Sequence, residues 1–138
     1  MAADQVPPPL VDAAALARAE AALSALSAKY LAWADADATH LTATLTAART
    51  DPAGPLPHLA TLFRIAHDMK GQAATFGFPL VTAIGERLCR LIEGNPSPGP
   101  DELARIAAHV DALAGAVALR LKGDGGAEGR RLLDSLPD

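Results

Sequence analysis

The chain has 138 residues, a formal charge of −4 from 12 basic and 16 acidic side chains, and a composition that is 50% hydrophobic but only 4% aromatic. That length favours one domain, and few strand formers beside abundant Ala and Leu make all-α the expected class. With no basic run denser than Arg130-Arg131, a single cysteine (Cys89) and no long apolar stretch, the composition excludes a nucleic-acid footprint, an intramolecular disulfide and a membrane-spanning helix.

The first segment, "MAADQVPPPL", has neither the basic start nor the apolar run of a signal peptide. Residues 1–10 are expected to be a tail and the protein to be cytoplasmic. From Val11 to Ala48 apolar residues recur at helical spacing: Leu16, Leu23, Leu26, Tyr30 and Trp33, then Leu41, Leu45 and Ala48. "DADAT" (35–39) interrupts this pattern by placing Asp37 where an apolar residue is due. The region is one extended or bent helix, or two helices that meet there. "RTDPAGPLP" (49–57) is a loop, because repeated prolines stop a helix.

A second helix is expected from about Leu56 to Phe76, with Gly77 as its C-terminal glycine. The third opens with Pro79 in its first turn and buries Leu80, Val81, Ile84, Leu88, Leu91 and Ile92. After the loop "GNPSPGP" (94–100) comes a fourth, with Leu103, Ile106, Val110, Leu113, Val117 and Leu121 on one stripe. Short loops between amphipathic helices imply antiparallel neighbours, so residues 11–121 are expected to form an antiparallel four-helix bundle. Beyond "KGDGG", residues 122–138 are expected to be a flexible tail in which "RRLLDSL" could form a short helix.

The second helix carries the chemistry. Its core stripe is Leu59, Leu62, Phe63, Ala66, Met69, Ala73 and Phe76. His67 lies about 100° round from Ala66, on a row made of Ala60, Arg64, His67, Lys70, Gly71 and Ala74. This row has two other cations and small residues but nothing large and apolar, so His67 faces outward. A mid-helix glycine costs about 1 kcal/mol relative to alanine. Gly71 has a reason to be there: a side chain four residues on leans back over His67 and would crowd the imidazole. An accessible imidazole with room beside it and Lys70 one turn away suits a histidine that accepts a bulky dianion. Imidazole is nucleophilic through a ring nitrogen, and attack on phosphorus gives a phosphohistidine whose oxygens Lys70 can partly neutralise. Adjacent Asp68 does not face His67 on a helix.

"AHDMKGQAATFG", followed by "FPLVTAIGERLCRLIE", resembles the phospho-accepting region of histidine-containing phosphotransfer (HPt) domains over roughly residues 59–93. The resemblance implies that His67 is phosphorylated, that Lys70 is its charge partner, that Gly71 gives clearance and that Gly77 ends the helix. It also implies helical bundles that relay phosphoryl groups between receiver-domain aspartates of two-component systems. In some members a Gln of the next helix stands near the histidine; here that position is Cys89, so either the hydrogen bond such a Gln gives is absent or Gln72 serves instead. Receiver domains are the expected partners, with a hybrid histidine kinase a further candidate, and a monomer is the expected state, although the long first helix leaves dimerisation open. Partner docking is assigned to Ala60, Arg64, Ala74, Gln72 and Arg87.

The plainer alternatives are an ordinary surface histidine, close helix packing at Gly71 and at mid-helix Gly85, a small core residue at Cys89, and solvated Arg64, Arg87 and Arg90. No Glu stands three residues before His40, His58, His67 or His109, so the usual bundle metal pattern is missing and no metal is expected. An ATP-binding domain does not fit in this length. No cofactor is expected; Mg²⁺ would belong to the partner receiver. The competing reading is a helical adaptor that binds a receiver or kinase without accepting phosphate.

Overall fold

The structure, a computed structural model, describes residues 12–137; the expected tail at 1–10 lies outside the described residues. Five helices follow one another among those residues: α1 (Ala13–Thr50), α2 (Leu56–Phe76), α3 (Pro79–Gly94), α4 (Pro100–Ala118) and α5 (Gly126–Asp134). The first four form the expected bundle. Each packs on its neighbour in sequence, and α4 closes the ring against α1.

The interrupted first region is one helix of 38 residues. It contains no Pro or Gly, and the Asp12 carboxylate caps its start by accepting from the Ala15 N–H at 2.6 Å. Across "DADAT" the inward positions are taken by Ala34 and Ala38, both buried. The two acids fall on the flanks, where Asp35 accepts both N–H groups of the Arg120 fork at 2.7 and 2.8 Å. Polar residues at flanking positions do not end a helix whose buried stripe continues.

That stripe outruns the bundle. Tyr30, Leu41 and Leu45 are buried, yet Leu16, Leu23 and Leu26 are 46–65% exposed. The reason is length. At about 1.5 Å per residue, α1 is ~57 Å long while the 21-residue α2 and 19-residue α4 reach only ~30 Å.

In α2 the expected stripe is buried or packed on the core, and Ile65, which it omits, is buried as well. The helix is covered on two sides, by α1 and by α3, so its buried arc is wider than one stripe. It ends at Gly77, whose φ of 83° is left-handed and whose N–H bonds to Ala73 O. Beyond α4, in the segment expected to be a flexible tail that could hold a short helix, α5 forms and docks. Gly123 O accepts from the Leu80 N–H at 3.1 Å, Leu132 and Leu133 pack on the core, and Leu136 is buried.

Candidate functional site

Helix α2 presents its outward arc between α1 on one side and α3 on the other. His67, Ala60, Arg64, Gly71 and Ala74 are all exposed on this arc, which is the row the spacing predicts. The His67 side chain is 59% exposed. Its ring stacks on Phe63 with centroids 5.9 Å apart and planes at 27°. The contact limits ring rotation and leaves the outer edge of the imidazole in solvent. Asp68 comes closer than the sequence argument allowed: Oδ1 is 3.9 Å from His67 Nδ1. That is too long for a hydrogen bond.

Lys70 is half-buried, because its place on the helix turns it toward α3. Two residues of α3 hold that turn. Thr82 Oγ1 donates to Lys70 O at 3.0 Å. Gly85 is buried directly beneath, where a Cβ would lie 3.0 Å from Lys70 Cβ and 3.4 Å from Ala66 O. Close packing, the plainer of the two explanations, therefore accounts for Gly85. Thr82 was not singled out in the sequence, since a lone threonine on an amphipathic helix gives no signal.

Gly71 differs from expectation. A Cβ built there meets no heavy atom within 4 Å, so a methyl would not crowd the imidazole. The first carbon of an i+4 side chain points back along the helix but out from its surface. Only a longer side chain could fold over the ring or fill the space above it. The space beyond Gly71 is open.

Gln72 does not join the row. Five residues after His67, it lies about 140° round the helix, where it lines a small groove with Trp33, Ala36 and Asp37. Its Oε1 is buried without a hydrogen-bond partner. Arg87 is also elsewhere: it lines a groove between α3 and α4 with Arg90, Leu91, Asn95 and His109. Cys89 is a buried core residue. Burial raises its thiol pKa, with Lys70 pulling the other way and Glu93 and Glu86 adding to the rise.

Two features of the arc lie outside the sequence assignment. On the α3 side, Ala60 and Phe63 open into an apolar groove with Leu56, Leu59, Ile92 and Pro96; Phe63, assigned to the core from its spacing, serves both core and surface. On the α1 side, Asp37 is half-buried, and burial together with Asp68 raises its carboxyl pKa against smaller opposite effects of His40 and Arg64. Its position as a break in the apolar pattern was the available signal. Among the described residues no three His, Cys, Asp or Glu side chains converge as a metal site, and no helix is long and apolar enough to cross a membrane.

Fold and site together define a helical bundle that carries an exposed histidine, with lysine and glycine on the following turn, on its second helix. A family model described as Hpt domain matches residues 13–116, and the chain belongs to that family. No curated protein and no solved structure matches the chain significantly.

Proposed function

We propose that this chain is a phosphoryl carrier that acts between receiver domains of a two-component phosphorelay through His67. The observation that carries this reading is the exposed imidazole itself, stacked on Phe63 and flanked by the open space over Gly71. The His67 Nε2 lone pair attacks the phosphorus of a receiver's aspartyl phosphate. An N–P bond forms, the acyl phosphate P–O bond breaks, and the aspartate leaves as a carboxylate. The reverse step delivers the group to a second receiver. Lys70, its backbone held by Thr82 and Gly85, supplies positive charge to the transferring group. Mg²⁺ belongs to the receiver. Positioning and electrostatics account for the catalysis, as in other phosphoryl transfers. The apolar groove along Ala60 and Phe63 gives the receiver a contact next to the reacting nitrogen.

The test is incubation with a phosphorylated receiver domain, read by intact mass and by the acid lability of the adduct. Wild type is expected to gain one acid-labile phosphoryl group, and His67→Gln none, with its helical content unchanged. Lys70→Ala is expected to slow transfer by about 10-fold or more, the scale on which one charged contact to a transition state acts. If His67→Gln is modified equally, the acceptor is another residue. If wild type binds receivers without ever being modified, the protein is an adaptor.

A further inference from the structure

We infer that α1 is also a self-association element, and that two copies pair antiparallel through its first half. Between Ala13 and Lys29 no residue is buried, although this half continues the stripe that faces the core further along. Leu16, Leu23 and Leu26 are 50%, 65% and 46% exposed, and Ala19 stands between the first two on the same face. The three charges of this stretch, Arg18, Glu20 and Lys29, fall on its flanks. Seventeen residues, about 25 Å of helix, thus present an apolar seam with heptad-like spacing and no cover from the other described residues.

The bundle decides what can lie on that seam. From Tyr30 onward the same face of α1 is occupied: Tyr30 stacks on Phe76 with centroids 5.1 Å apart and meets Phe78 at 4.9 Å with the rings tilted by 31°. A covering helix must end at that level. A parallel second copy cannot, because its own residues beyond 30 would run into α2 and α4. An antiparallel copy can, because its helix begins at Ala13, with Asp12 as the cap. The free stretch of each copy then spans the free stretch of the other, and the bundles lie at opposite ends.

This register places Leu16 against the partner's Leu26 and Leu23 against the partner's Ala19, so large residues meet large or small ones and no like charges meet. Lys29 comes level with the partner's Asp12. The two strips together remove on the order of 1,000 Å² from water, at the lower bound for a specific interface. The dimer is therefore expected to dissociate on dilution through the micromolar range. The inference does not depend on phosphotransfer.

Sedimentation and light scattering of the full chain test it. Wild type is expected to approach twice its 14.1 kDa chain mass as concentration rises, and Leu23→Glu to stay monomeric while its bundle unfolds at the wild-type temperature. A mixture of Leu16→Cys and Leu26→Cys chains is expected to form a disulfide-linked dimer on mild oxidation, and neither chain to do so alone. A wild type that is monomeric at high micromolar concentration overturns the inference. So does a dimer that survives Leu23→Glu, and a disulfide between two Leu16→Cys chains overturns the antiparallel order.

Discussion

At the scale of single residues, the two glycines nearest His67 act through different spaces. Gly85 is a contact glycine: α3 could not lie so close to Lys70 with a side chain there. Gly71 borders open solvent, so its lost helix propensity of about 1 kcal/mol is not offset by any packing within the chain. Gly71→Ala is accordingly expected to stabilise the protein by roughly that amount in urea unfolding and to leave transfer from a phosphorylated receiver intact. Gly71→Gln is expected to gain similar stability but lose most of the transfer, because its long side chain occupies the approach to the imidazole. Wild-type transfer by the Gln variant would mean that the partner does not use that space. The row holding His67 and Gly71 was legible from spacing alone, because helical periodicity fixes which side chains share a face. The space around each glycine was not, because it depends on where the neighbouring helix runs.

Among the elements, the α2–α3 contact does most to position the site. It brings together Ala66, Lys70, Thr82 and Gly85, with one side-chain hydrogen bond to the Lys70 carbonyl. Gly85→Ala sets two effects against each other. The added methyl improves helix propensity by about 1 kcal/mol, and overpacking against Lys70 costs about 1–3 kcal/mol. The net change in unfolding free energy is expected to lie between none and a loss of about 2 kcal/mol, whereas phosphotransfer slows because Lys70 is displaced. Gly85→Val has no room to compensate and is expected to destabilise by about 2–3 kcal/mol. A Gly85→Ala protein with wild-type transfer kinetics would separate this contact from the chemistry. The sequence pattern located both helices but not which face of each meets the other. Gln72 shows the consequence: its closeness to His67 in the chain suggested a role in the site, while its angle turns it toward α1.

At the scale of the whole molecule, the bundle buries one histidine. His109 is buried on α4, with its Nδ1–H donating to the Arg105 carbonyl at 2.7 Å. Four-residue spacing within one helix made that bond readable in principle. The burial depends on α3 and on the C-terminal segment reaching the same groove, where Arg87 and Pro137 lie. Burial lowers the pKa of His109; its backbone hydrogen bond opposes the shift and the charge of Arg87 reinforces it. Above the unfolded value of about 6.5 neither state binds this proton, so the residue has no effect on the pH dependence. As pH falls below that value the unfolded chain takes up the proton first, and stability declines until the folded pKa is passed. Asp37 acts in the opposite sense in a lower window: with its folded pKa raised, ionisation opposes folding, and protonation on acidification relieves that opposition. Urea unfolding followed across the acidic range should therefore lose stability just below pH ~6.5, and His109→Gln should flatten that limb whatever its effect on absolute stability. Asp37→Asn should instead raise stability at neutral pH, by about 2 °C in Tm for a half-exposed carboxylate, with the gain vanishing once the wild-type carboxyl is protonated. An unchanged slope in the His109→Gln protein would mean that the imidazole takes its proton in the folded state, through an opening of the groove between α3 and α4.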